Sequence, residues 1–351
     1  MSERMIGRLT VIAASAGILM LAYTVAGTAK PSVNGRAGAN AAATAPQQAA
    51  QQGQQQQPVP QAQGQIKVQV NLVNVFATVR DKQHAVVDDL KKEDFKILED
   101  GQEQKVAFFQ RESDLPITLA LLIDTSGSMD RVLPAEQDAA SRFIKEIMRK
   151  KDEALVISFD LDVNLLADFT EDTAVLERAI RRTVMNAPPA GIGGTAGTIP
   201  FQGGGTDLYD AVYLACHDEL ATEAGRKAVI LLTDAEDTGS KLGMKDAIEA
   251  AQRTDAVIHI LLIRDFMASS GVGFGVAHQM SAETGGRVID VHNEKTLEKA
   301  FDEIAEELRS QYVLGYYPTN NKRDGTFRKI TVMADRPDMK ILARKGYYAP
   351  R

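Results

Sequence analysis

The sequence predicts an α/β fold. Its centre is a doubly wound, mostly parallel six-stranded sheet flanked by helices, and the segments on either side form a small β-sandwich-like module. Three observations lead there. Short apolar runs that stop at polar turns, residues 119–123 and 229–232, read as strands buried on both faces, as parallel strands are. Stretches with apolar residues at helical spacing alternate with them, the order that places helices on both faces of such a sheet. Outside this block, residues 66–79 and the segments after residue 311 are β-branched or aromatic and short, which is strand character.

In chain order, Arg4 and Arg8 precede an uncharged run that ends in Ala26, Gly27 and Ala29. This is the layout of an export signal over residues 1–29. Its apolar part, residues 9–25, is roughly 17 residues, at the short end for a membrane span. Cleavage after export is the favoured reading, with retention as a single anchor the alternative, and that anchor is the one route to a membrane. Residues 30–65 are rich in Gln, Ala and Pro without apolar periodicity and read as a disordered tether.

Residues 66–113 supply the first part of the β module: strands at 66–79, 94–99 and 105–110, with Asp100-Gly101 as a tight-turn signal. Residues 312–351 supply the rest through 311–317, 327–333 and 340–344, with a hairpin-like turn expected at Asp324-Gly325. Between them, residues 114–311 hold the α/β domain. Its strands are expected at 117–123, 154–159, 163–169 (an antiparallel edge), 229–233, 256–263 and 288–291. Its helices are expected at 135–150, 173–184, 207–220 with Thr206 as N-cap, 244–253, 276–284 and 294–309. The glycine-rich stretch 186–205 lacks the Gly-Lys-Ser/Thr ending of a phosphate loop and reads as a flexible loop.

The chemistry gathers where the first central strand ends. Asp124, Ser126 and Ser128 put oxygen-bearing side chains at alternate positions just past a strand's carboxyl end, where ligands bind in open α/β sheets. An all-oxygen set with two hydroxyls suits a hard cation such as Mg²⁺ rather than zinc or copper. Asp-x-Ser-x-Ser after an apolar strand resembles the metal-ion-dependent adhesion site of von Willebrand factor type A domains. The resemblance implies two further residues from later loops: Thr206, in Gly-Gly-Gly-Thr-Asp, and Asp234, at the end of the 229–233 strand. It also implies that Ser126, Ser128 and Thr206 are direct ligands and that Asp124 and Asp234 act largely through water. The ion would be Mg²⁺, with Mn²⁺ or Ca²⁺ as alternatives, and an open position would accept an Asp or Glu carboxylate from a protein partner. The flanks, with Tyr-Val-Leu-Gly-Tyr-Tyr-Pro and Arg-Lys-Gly-Tyr-Tyr-Ala, resemble exported von Willebrand factor A-related proteins of acidobacteria.

Composition narrows the remaining classes. The chain has 351 residues, 44 % of them hydrophobic, which is ample for two domains. A net charge of −7 argues against nucleic-acid binding. The lone Cys216 cannot form an internal disulfide, and its apolar setting marks a core filler. No Gly-x-Ser-x-Gly elbow surrounds Ser126, and the second aspartate of a phosphatase motif is replaced by that serine. His84, His217, His259, His278 and His292 are scattered, no His-x₃-His or Cys pair suggests a zinc site, and His259 reads as a core residue. The expected function is an exported, metal-dependent adhesion or scaffold module and not an enzyme. The alternatives are a metal-independent structural module of an envelope complex and, behind it, a metal-dependent hydrolase. If Ser126 and Ser128 only cap the next helix, the metal reading falls.

Overall fold

The computed structural model describes residues 72–111, 115–185, 205–263 and 272–351. The export signal, the tether and the glycine-rich loop as far as residue 204 lie outside the described residues.

The first flank contains β1 (Val73–Arg80), β2 (Phe95–Glu99), β3 (Gln102–Gln104) and β4 (Val106–Arg111). Glu99 pairs with Gln102, so Asp100 and Gly101 form a two-residue hairpin, and both adopt positive φ (49° and 82°). That is the geometry of primed turns, which glycine enters without strain. Only β3 closes this hairpin. The single strand expected around residues 105–110 is β4, which lies in another sheet, with Lys105 between the two strands.

The central block runs β5 (Ile117–Asp124), α1 (Leu133–Ile147), β6 (Glu153–Phe159), β7 (Val163–Thr170), α2 (Thr173–Ile180), α3 (Leu208–Leu214), β8 (Arg226–Thr233), α4 (Met244–Arg253), β9 (Val257–Ile263), α5 (Val272–Thr284), β10 (Val288–Val291) and α6 (Glu294–Arg309). Its strands form one six-stranded sheet in the order β10-β9-β8-β5-β6-β7. All pairs are parallel except β6 with β7. All eight residues of β5 are buried, as the apolar run requires of a strand in mid-sheet. Leu119, Leu121 and Ile123 face α1, α2 and α6, whereas Ala120 and Leu122 face α3, α4 and α5. The helices obey their local signals: Pro134 lies in the first turn of α1, and the Asn293 side chain accepts from Thr296 N (3.0 Å) to cap α6.

The second flank contains β11 (Tyr312–Tyr316), β12 (Phe327–Ala334), β13 (Lys340–Ala343) and β14 (Gly346–Tyr348). The flanks interleave into two four-stranded sheets, β13-β1-β11-β4 and β14-β12-β2-β3. Their shared core includes Val75, Ile97, Tyr312, Tyr316 and Ile330. The hairpin expected at Asp324-Gly325 does not form. Strands β11 and β12 belong to opposite sheets, and the turn lies in the crossing between them. At the centre of the module, buried Glu99 accepts from the hydroxyls of Tyr316 (2.7 Å) and Tyr347 (3.0 Å) and faces Arg328 at 3.6 Å.

Two buried features bear on stability. Arg80 of β1 pairs with fully buried Glu307 of α6 at 3.0 Å, and Arg287 reaches the same carboxylate at 2.8 Å, which locks the module to the central domain. His259 lies inside β9 opposite Ile230, fully buried, and neither ring nitrogen has a hydrogen-bond partner. Burial is the main cause that lowers its pKa below 6.5. The unfolded chain therefore takes up a proton first, and folding stability falls as pH drops through about 6.5. Denaturant titrations should find His259→Leu about 1 kcal/mol more stable at pH 7, because two orphaned polar atoms leave the core. They should also find a flatter pH dependence below 6.5; an unchanged slope would mean that His259 is not the titrating group.

Candidate metal centre

Because β5 and β8 run in parallel with Ile123 opposite Leu232, Asp124 emerges level with Thr233, one residue before Asp234. Thr233 Oγ1 donates to Asp124 Oδ2 (2.5 Å), and Ser126 N donates to Asp124 Oδ1 (2.9 Å). The loop after β5 is pinned to β6: Thr125 N donates to Phe159 O (2.8 Å), and Thr125 Oγ1 donates to Asp160 Oδ2 (3.0 Å). So held, the hydroxyls of Ser126 and Ser128 lie 3.1 Å apart. Ser126 precedes a single 3-10 turn, Gly127–Met129, and its side chain makes no capping hydrogen bond. Capping by Ser126 is therefore absent.

Thr206 reaches this end of the sheet through different bonds. Asp207 N donates to Asp160 O (2.7 Å), Thr206 N donates to Thr238 Oγ1 (3.0 Å), and Thr206 O accepts from Thr238 N and Gly239 N (3.2 Å each). The loops at 206 and 238 are thus stitched together, and the first also hangs from the turn after β6. Thr206 is not the N-cap that the sequence led us to expect. That position falls to Asp207, again without a side-chain cap bond. Asp234 accepts from Glu236 N at Oδ1 (3.0 Å). Beside it, buried Ala235 takes a positive φ of 59°, strain that a non-glycine residue keeps only where its surroundings impose it. Gly273, at the start of α5, abuts this point so closely that a Cβ would collide with the carbonyl oxygen of Asp234.

The electrostatics single out a residue that the motif does not contain. Glu136, in the first turn of α1, is fully buried, and neither carboxyl oxygen has a partner. Burial first, then the nearby charges of Asp124 and Asp234, raise its pKa well above the carboxylate range. Burial likewise pushes Asp124 up to about 7, against the hydrogen bonds from Ser126 and Thr233 that favour its charged form. The signal for Glu136 was present in the sequence. It lies three residues before Ala139 and seven before Phe143, so an acid occupies the apolar stripe of an amphipathic helix.

The donor set that the motif implies would be oxygen only, with two carboxylates and three hydroxyls. It fits Mg²⁺, Mn²⁺ or Ca²⁺ and not a soft metal. Among the described residues, no three His, Cys, Asp or Glu side chains converge well enough to hold an ion by themselves, so any ion here depends on the hydroxyls. No described helix is long and apolar enough to cross a membrane.

Residues 119–236 match the family model of the von Willebrand factor type A domain. A conserved hypothetical protein, BatB, from Bacteroides thetaiotaomicron is 17 % identical; the alignment covers 55 % of this chain and 100 % of that one, with a TM-score of 0.42. A von Willebrand factor type A structure from Catenulispora acidiphila is 13 % identical, covers 73 % of each chain and has a TM-score of 0.46. The vWF domain of the type V pili tip protein Mfa5 from Porphyromonas gingivalis is 15 % identical, with 55 % and 94 % covered and a TM-score of 0.41. A search of curated proteins found no match.

Proposed function

We propose that the von Willebrand factor type A domain at residues 119–236 makes this chain an exported, metal-dependent protein-binding module without catalytic turnover. Ser126, Ser128 and Thr206 would hold Mg²⁺ directly, and Asp124 and Asp234 would act through water and by orienting the hydroxyls. Mn²⁺ or Ca²⁺ could serve in its place. The bound ion would supply an electrophilic position for an Asp or Glu carboxylate of a partner protein.

One observation carries the reading. Asp124, Asp234 and Glu136 gather carboxyl groups at a site where two of them are fully buried, and Glu136 has no hydrogen-bond donor at all. A group that burial penalises this strongly persists where a cation or a function offsets it. The chain's own part is orientation. Thr233 and the Ser126 amide fix both oxygens of Asp124, and β6 fixes the loop that carries the serines. Rigidity of this kind lets neutral hydroxyls compete with water for an ion.

Calorimetric titration of Mg²⁺ or Mn²⁺ into the metal-free full chain, beside Asp124→Ala, tests the metal. Saturable binding is expected, and it should be lost in the variant. At an ion concentration about 100 times Kd, the wild type should also gain about 2.7 kcal/mol of unfolding free energy. Absence of binding to the wild type would instead favour a metal-independent structural module. The carboxylate is tested by metal-dependent capture of a partner, which amidation of the partner's carboxyl groups should abolish.

A further inference from the structure

At the other end of the sheet, near the start of β9, a cleft of about 680 Å³ opens between the C-terminal end of α4 and the β module. This size is typical of ligand clefts. The chain carries a net charge of −7. The cleft nevertheless presents Arg253, Lys322, Arg323, Arg328 and Arg344, with Asp255 the only acidic residue among its described lining.

Two of these cations are built into the wall. Arg328 and Arg344 are 2 % and 8 % exposed, and the Nε of each is buried without a hydrogen-bond partner. Arg344 pairs with Asp255 and donates to Asn74 O, and Arg328 donates to the Tyr347 hydroxyl (3.2 Å). Their guanidinium carbons lie 5.6 Å and 5.9 Å from the centre of the Tyr347 ring. The guanidinium carbon of Arg253 lies 4.0 Å from the centre of the Tyr348 ring while the side chain pairs with Glu249 (2.7 Å), so its fork is held in place. Lys322 is exposed at the rim and makes no side-chain ion pair among the described residues. Beside the cations stand apolar surfaces: Leu72, 39 % exposed, and Tyr317, 52 % exposed, with Pro318 and Pro350.

We propose that this cleft binds a short acidic peptide segment, its carboxylates on Lys322 and Arg253 and its aliphatic side chains on Leu72 and Tyr317. Arginine clusters commonly recognise acidic motifs in this way. The apolar wall favours a peptide with alternating acidic and aliphatic residues over a phosphate group or a hydroxyl-rich saccharide, which would leave Leu72 and Tyr317 unused. The site lies about 20 Å, roughly one strand length, from Asp124 and does not depend on the metal reading.

The test titrates a fluorescein-labelled peptide of alternating Glu and Leu against the full chain in EDTA at low salt, beside a Gln and Leu counterpart. The acidic peptide is expected to bind at least about tenfold more tightly and to weaken as salt rises. Combined Lys322→Glu and Tyr317→Ser should weaken it at least about tenfold without moving the thermal midpoint, since both side chains are exposed. Asp124→Ala should leave binding unchanged, so this outcome is independent of the metal centre. Equal affinity for the two peptides, wild-type binding by the double variant, or no saturation by about 1 mM would each overturn the proposal.

Discussion

Replacing Glu136 with methionine is expected to raise the unfolding free energy of the metal-free protein by about 2 kcal/mol. It should also weaken Mg²⁺ binding at least about tenfold. The two effects share one cause. Both carboxyl oxygens of Glu136 are buried without a donor, and the charges of Asp124 and Asp234 add to the penalty. Methionine fills nearly the same volume with no group to desolvate, so the core gains. A cation loses a nearby carboxylate, so the site loses. Such a trade of stability against activity is the mark of a functional position within a core. The measurements are denaturant unfolding in EDTA and Mg²⁺ calorimetry. Lower stability with unchanged affinity would make Glu136 a packing residue and remove the main support for the metal reading.

Arg80→Ala is expected to cost about 3 kcal/mol, because removing one partner of a buried ion pair strands the other. Glu307 would keep only Arg287 at 2.8 Å, while its second oxygen already has no partner. The loss should concentrate where β1 meets α6. Hydrogen exchange would then rise in the β module before it rises in the central sheet. Arg80→Met combined with Glu307→Leu should recover most of the loss, since an apolar pair of similar volume avoids the desolvation cost. A double variant no more stable than Arg80→Ala would show that the pair also sets local geometry.

Much of this architecture was legible because buried parallel strands carry an unambiguous pattern. Residues 119–123 and 229–232 have no polar interruption, and they stop within two residues of Asp124 and Asp234. The order of the motif pieces then named Asp124, Ser126, Ser128, Thr206 and Asp234 as candidates, of which the hydroxyls of Ser126 and Ser128 lie 3.1 Å apart beside Asp124. Local signals failed where pairing is non-local. Asp324-Gly325 has turn chemistry, yet β11 and β12 pair with strands from the other flank. The strand expected at residues 105–110 forms as β4, but β3 went unseen because Gln104 and Val106 serve different sheets, a choice that periodicity does not encode. Glu136 escaped the reading because attention to apolar spacing passes over the one acid in the stripe.

The interleaved β module also has a consequence for how the chain is made. Val73 pairs with Tyr316, Ala77 with Ala343 and Phe95 with Ala334, so these early strands find partners more than two hundred residues later. During synthesis, β1 and β2 must wait until the whole central domain has emerged, and loops this long close slowly. The central domain holds its own sheet and can fold first, bringing residues 117 and 309 into one compact body that shortens the remaining search. Until then β1 and β4 are unpaired and β2 pairs only with β3, which leaves open strand edges, the surfaces on which aggregation begins. A chaperone that shields residues 73–111 would therefore matter more to the yield of this protein than one acting on its larger central domain.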